Sequence, residues 1–204
     1  MSERNGPRVD VRLDKREQGA VAFRRWQAGE PLDPWIGAFL DLEARGWKGR
    51  AGSALASHGD TEAWFRAILT GAADAEKLDL RALDLDGRPL AMLVNFLCPP
   101  GGFSFKTAFD EDYARFSPGV LLQQANLDLL EDSRIAWVDS CAAPGHPMID
   151  SVWRERRHLL WVNVPLSGTA DRLRFHILTK VERGWRRWKR PAAEVVAEEP
   201  QDPA

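Results

Sequence analysis

Hydrophobic positions along the chain change period near Leu78, which separates a helical front from a sheet-forming middle. Ahead of that point Ile36, Phe39 and Leu40 fall at helical spacing behind Asp33 and Pro34, an N-cap and first-turn proline, and Gly46 ends the pattern. A second helix is predicted from about Asp60, with Trp64, Phe65, Ile68 and Leu69 on one face. Between them GWKGRAGSALAS, residues 46–57, reads as a small-residue loop. Residues 1–32 are polar and charged and broken by Gly6, Pro7, Gly19 and Gly29. Only Val9, Val11 and Leu13 alternate there, so a weakly structured leading segment is expected.

From Leu78 the pattern is that of strands. Leu78, Leu80 and Ala82 alternate, Asp86-Gly87 is a two-residue hairpin signal, and Leu90–Cys98 is nearly all apolar. Pro99–Gly102 turns the chain into a third strand, Phe103–Phe109, which completes an antiparallel meander. A helix from Pro118 to about Glu131 follows, then a strand Ile135–Ser140, a loop with Pro144, Gly145 and Pro147, a short helix through Trp153, and a strand Leu159–Val164. The order is ααβββαβαβ, an α+β arrangement over residues 33–170. Beyond Asp171 a helical pattern leads into a basic cluster of Arg183, Arg186, Arg187, Lys189 and Arg190. That cluster suits a nucleic-acid or membrane surface as well as a solvated tail, and the Pro/Glu/Ala-rich end is expected to be disordered.

Composition narrows the class without naming a partner. A chain of 204 residues with 44% hydrophobic content can bury one ordinary core, and a net charge of -2 gives no reason to expect DNA. Cys98 and Cys141, the only cysteines, make neither a disulfide framework nor a zinc site, and no metal is expected. The first residues lack an apolar signal core, and no apolar run approaches the roughly 20 residues that span a bilayer, so a cytoplasmic protein is expected.

The most informative stretch is Phe103–Leu122, FSFKTAFDEDYARFSPGVLL, a strand that passes through an acidic, aromatic loop into a helix start. Ser117 suits an N-cap, Pro118 the first helical position, and Gly119 a close approach to the backbone. Ser117, Gly119 and Val120 would offer N–H groups at the positive end of the helix, with Arg115 adding charge, which suits a phosphate-bearing ligand. A capped helix beside a surface arginine fits the same residues. Lys48 and Arg50 likewise fit either an anionic ligand or the dipole of the helix they follow.

Together the element order and three segments, FLDLEARGWKGRAGSAL (39–55), LRALDLDGRPLAMLV (80–94) and FKTAFDEDYARFSPGVLL (105–122), resemble the CelD/BcsL-type acetyltransferases. These GNAT-superfamily proteins are associated with cellulose and exopolysaccharide synthesis, and the resemblance covers roughly residues 35–165. It implies a GNAT-like fold, a mostly antiparallel mixed sheet flanked by helices. It further implies acetyl-CoA or another acyl-CoA as substrate, and an amine or hydroxyl acceptor on a sugar or envelope precursor. Members are usually longer, with a second GNAT-like half in front, so a separate half or a homodimer is an expected partner. The usual pyrophosphate loop, Q/R-x-x-G-x-G/A, is replaced here by Arg115-Phe116-Ser117-Pro118-Gly119-Val120, in which one glycine remains, shifted, and Pro118 lacks an N–H.

In a GNAT sheet the last two strands splay to admit the acyl chain, which points to Asp139, Ser140, Cys141 and His146. Of these His146 is the best single candidate for proton transfer near neutral pH, with Asp139 as the alternative, and a structural role fits a lone His beside Gly145 and Pro147 equally. Tyr113 could protonate a departing thiolate or simply pack its loop. Lys106, whose neighbours Phe105 and Thr107 are expected on the opposite face, would line the cleft or a solvated face. Among Asp110, Glu111 and Asp112, one carboxylate could act as base; a solvated turn explains the trio equally. Cys141 has no Cys–His spacing to mark it as a nucleophile, and the superfamily transfers its acyl group directly. Lys48 and Arg50 are candidate acceptor-binding residues, while Trp137, Trp153 and Trp161 suit core closure or sugar stacking. Two other readings remain: a non-catalytic half that works by assembly, and a Fem-type transferase that uses aminoacyl-tRNA and the basic tail.

Overall fold

The computed structural model describes residues 19–143, 145–157, 159, 162, 164 and 168–189. They fall into two units, divided after Arg157. The first holds a five-stranded sheet in the order β1-β2-β3-β4-β5: Val21–Arg25, Leu78–Leu85, Arg88–Cys98, Gly101–Phe109 and Trp137–Asp139. The first four strands are antiparallel neighbours and β5 runs parallel to β4. Helices α1 (Asp33–Arg45), α2 (Trp47–Arg50) and α3 (Gly59–Asp74) precede β2, and α4 (Pro118–Ala125) and α5 (Pro147–Val152) flank β5 in sequence.

The alternation from Leu78 places Leu80, Ala82, Met92, Val94 and Ala108 on one sheet face. There they meet Ile36, Phe39 and Leu40 of α1 and Phe65 and Leu69 of α3 in the main core. Phe39 and Phe65 bring their ring centroids to 5.2 Å. On the other face Leu83, Ala91 and Leu93 receive Leu122 of α4. That face also buries Asp79, Arg81, Asn95 and Ser104. They are joined into a network: Arg81 donates to Asp79 at 2.8 Å, and Asn95 donates to Asp79 at 2.7 Å and to Asn126 at 2.8 Å. Burial lifts the Asp79 carboxyl, but Arg81 and Arg25 outweigh it and hold the group below its ordinary value.

Several expectations change. Val21–Arg25, inside the stretch expected to be weakly structured, is an edge strand paired with Arg81–Leu85. Its VAFRR sequence has little alternation of its own. What holds it is the β2 edge and two ion pairs, Arg24 with the buried Asp84 and Arg25 with the buried Asp79. Within the expected loop of residues 46–57 lie α2 and a 3-10 turn, Leu55–Ser57. Asp33 sits in the first turn of α1 and does not cap it. The helix from Pro118 ends at Ala125 and continues to Glu131 as a 3-10 segment, in which Asn126 turns inward toward Asn95.

In the second unit Thr169–Lys189 form α6, over the basic cluster up to Lys189. Leu159, Val162 and Val164 are exposed and in no strand; the rest of that expected strand, including Trp161, lies outside the described residues, as do Arg190 and the C-terminal end. No described helix is long and apolar enough to cross a membrane.

Candidate active site

β5 pairs with β4 over only three residues, Gly101–Phe103 against Trp137–Asp139. The strands are pinned there: a Cβ on Gly101 would fall 2.3 Å from the Trp137 indole, so glycine is what allows the ring to lie on the strand. From Ser104 onward β4 has no strand on that edge among the described residues, and a cleft of about 630 Å³ opens beside it. Its walls come from the α1–α2 corner, β4, the start of α4, and the stretches Ser140–Ala143 and His146–Ile149.

The α1–α2 wall is ionic. In GWKGR, Gly49 packs so closely on α1 that a Cβ there would lie 1.7 Å from the Ala44 carbonyl oxygen. The Lys48 carbonyl accepts from the N–H groups of Ser53 and Ala54 at 2.8 and 3.1 Å, which folds the following loop back over α2. This corner carries Lys48 to the buried Glu43, 3.2 Å from its Oε1, while Lys106 reaches the same oxygen at 2.8 Å and the Leu55 N–H donates to Oε2 at 2.8 Å. Burial raises the Glu43 carboxyl, but the hydrogen bonds from Lys106 and Leu55 and the charges of Lys106 and Lys48 more than reverse this, leaving it below its ordinary value. Lys48 is shifted down by burial and by the Lys106 charge, against the pull of Glu43. Alongside, Glu111 accepts from the Trp47 N–H and from Arg50, each at 2.5 Å, and ties the corner to the 3-10 segment Glu111–Phe116.

Lys106 reaches Glu43 through its pairing with Val94 on the α1 face, with a bulge beside it. In the β3–β4 ladder Val94 pairs with Lys106 and Asn95 with Ser104, so Phe105 is passed over. Phe105 was expected opposite Lys106. Instead Phe105 packs on Phe96 and Trp64 while Lys106 meets α1, so both serve the α1/α3 face. Thr107 reaches the other face, where the Gln123 amide of α4 donates to it at 3.0 Å.

The α4 wall is neutral. Ser117 takes a left-handed conformation, φ 51°, and its side chain does not cap the helix. The expected cap is absent because Ser117 also closes the preceding 3-10 segment, its N–H donating to the Ala114 carbonyl at 2.9 Å. Since Pro118 has no N–H, the donors that helix geometry leaves without intrahelical acceptors here are those of Gly119 and Val120. Gln123, 1% exposed, also lines the cleft, and its Oε1 has no hydrogen-bond partner.

The family model described as "Acetyltransferase (GNAT) domain" matches residues 8–145. The chain belongs to the GNAT acetyltransferases. Solved structures agree on the fold. An aminoglycoside acetyltransferase from an uncultured soil metagenomic sample, in complex with sisomicin, superposes with a TM-score of 0.51 at 13% identity, over 72% of this chain and 97% of that one. A possible acetyltransferase from Clostridium difficile 630 gives 0.50 at 12% identity, over 72% and 99%. No curated protein matches the chain. GNAT acetyltransferases use acetyl-CoA as substrate.

Of the residues anticipated from sequence, Lys48, Lys106, Ser117, Gly119, Val120 and His146 line this GNAT cleft. Asp139, Tyr113, Arg115 and Arg50 are not among its described lining residues. The Asp139 carboxylate accepts from the Cys141 N–H at 2.8 Å. Tyr113 lies beside Phe116, and the Arg115 guanidinium stands 4.5 Å from the Phe116 ring. His146 precedes α5, its Nδ1 accepting from the Ile149 N–H at 3.4 Å, so the neutral ring carries its proton on Nε2. Cys141 is exposed as a residue, yet its partly enclosed sulfur and the Asp139 charge push the thiol up to about 11. Sequence reasoning missed Glu43 and Gln123. Glu43 was legible only as a charge one helical turn before GWKG, among positions that alternate for packing.

Proposed function

We propose that the cleft binds acyl-CoA and passes its acyl group to an amine or hydroxyl on a sugar or envelope precursor, as in transferases of the CelD/BcsL type. The observation that carries this reading is the end of β5 at Asp139, which leaves β4 without a neighbouring strand from Ser104 onward among the described residues, with the first turn of α4 on the wall of the gap. The residues present fit the coenzyme. Gly119 and Val120 offer N–H donors for a phosphate, two where the sequence suggested three, and the unpartnered Gln123 Oε1 offers an acceptor. Bound acetyl-CoA supplies the activated acyl group.

The chain's own residues then orient the reacting groups. His146 is the imidazole on the wall; with Nδ1 engaged by α5, its Nε2–H is a hydrogen-bond donor that can steady the acyl carbonyl oxygen as negative charge develops on it. Asp139 acts through the backbone, holding the turn after β5 by its bond to Cys141. Tyr113 and Arg115 support the loop that delivers Glu111, and Arg50 adds a surface ion pair to Glu111, which the Trp47 N–H already holds at the acceptor-side corner. A thiol at about 11 stays protonated at neutral pH, which favours direct transfer over a Cys141 acyl-enzyme. The wording of the GWKGR, DG-hairpin and KTAFDEDYARFSPG segments supports the subtype and, with it, the sugar-linked acceptor.

Thermal denaturation with and without CoA tests the binding step. CoA should raise the midpoint, and Val120→Pro should reduce the rise by removing a donor at a helix start that tolerates proline. An unchanged wild-type midpoint at millimolar CoA would overturn the reading. Thiol release from acetyl-CoA with a panel of amino sugars and other amines then identifies the acceptor class.

A further inference from the structure

Two ammonium groups share one oxygen of Glu43, and its other oxygen is occupied by the Leu55 N–H. One carboxylate against two lysines leaves excess positive charge in a partly enclosed wall, where water screens it weakly. Glu111, the other carboxylate on this wall, is held by Arg50 and the Trp47 N–H. Each ammonium has three donors and spends one on Glu43, so donors remain for a ligand. Both lysines are rigidly delivered: Lys48 by a corner that only glycine at position 49 permits, Lys106 by its ladder pair with the buried Val94 in β3. Folding alone does not call for such a group, because a buried ionic triad is often no more stable than apolar residues of the same volume.

We propose that Lys48 and Lys106, spaced by Glu43, bind a carboxylate or phosphate group of the acceptor. The proposal rests on the acyl-CoA reading of the cleft and narrows its acceptor to an anionic amine or alcohol. Lys106 and Thr107 leave β4 on opposite faces, so this cationic pole lies on the α1 side while the backbone donors of Gly119 and Val120 belong to α4. The two poles suit two different anions, the acceptor's on one side and the coenzyme's on the other.

Nuclear magnetic resonance of the isotope-labelled full chain tests this, titrating inorganic phosphate and acetate against chloride at matched ionic strength. Saturable shifts are expected at Lys48, Lys106 and Leu55 with a Kd on the order of 1 mM, weakened about tenfold or more in Lys48→Met. A second variant, Glu43→Gln with Lys106→Met, keeps the charge balance and covers a failure of the first to fold. Equal shifts with chloride, or undiminished phosphate binding in both variants, would sink the proposal. Preloading with CoA and with dephospho-CoA separates the sources of anion. Phosphate binding that survives both supports the acceptor; binding abolished by CoA and retained with dephospho-CoA assigns the pole to the coenzyme's 3′-phosphate and overturns the acceptor assignment. CoA binding itself is read at the Gly119 and Val120 amides, so failure of the acyl-CoA reading is visible separately.

Discussion

The two walls of the cleft are built on different physics. On the α1–α2 side every feature depends on buried or shared charge: Glu43 with two lysines, and Glu111 with Arg50 and a backbone N–H. On the α4 side the ligand-facing groups are neutral, two backbone donors and the amide of Gln123. A charged wall is selective and sensitive to substitution, because each ion there is stable only with its partner. A backbone wall is tolerant of sequence, because its donors belong to the helix start and not to any side chain. On the proposed reading, this difference would let the glycine-poor Ser117-Pro118-Gly119-Val120 loop serve as a phosphate cradle while GWKGR leaves little latitude.

The sharpest way to break the ionic wall is Gly49→Val. Its Cβ would enter the Ala44 carbonyl, which no rotamer relieves, so either α2 unfolds or α1 shifts. Loss of soluble protein or a fall in stability of about 3 kcal/mol or more is expected by chemical denaturation. Next in size is Glu43→Ala, which strands two lysines and the Leu55 N–H; about 3–5 kcal/mol is the range for leaving a buried charge unpaired. If Glu43→Ala costs no more than Gly119→Ala, whose new methyl meets the movable Met148 sulfur at 2.9 Å, the contrast between the walls fails.

Acid should act on the same wall. The folded-state pKa of Glu43 lies below its ordinary 4.5, so the stability it contributes is in full above that pH and is lost as pH falls through the lower folded value. Urea midpoints followed against pH should therefore drop less steeply for Glu43→Gln than for the native chain. Parallel curves would show that Glu43 is not held by the lysines as described.

Much of the fold was legible because hydrophobic period reports directly on faces: α1, α3, the meander and the DG hairpin all follow from it. What escaped depends on partners distant in sequence. VAFRR becomes a strand only against β2, with its arginines reaching Asp79 and Asp84. Phe105 joins the face of Lys106 only through a bulge set by pairing with β3. Ser117 loses its capping role to a 3-10 segment whose existence depends on Asp110, which accepts from the Asp112 N–H and pairs with Arg88. In the candidate site, GWKGR and the α4 start drew attention by their residue types, whereas Glu43 looks like any helical glutamate until Lys106 is brought to it from 63 positions away.

Smaller effects sharpen the neutral wall and then the corner. Gln123→Met removes an acceptor that has no partner but also frees the Ser104 and Thr107 hydroxyls, which can re-pair, so stability should move by no more than about 1 kcal/mol. CoA affinity, measured by calorimetry, should fall if the orphan oxygen serves the ligand; unchanged affinity removes Gln123 from the site. The least effect belongs to Arg50→Ala. Arg50 is 64% exposed, and its pair with Glu111 belongs to the surface class worth under about 1 kcal/mol. Because the Trp47 N–H still holds Glu111, the corner should keep its shape and Lys48 its place beside Glu43. A variant with near-native stability but much weaker phosphate binding would mean that Arg50, and not the lysine pair, supplies the charge of this wall.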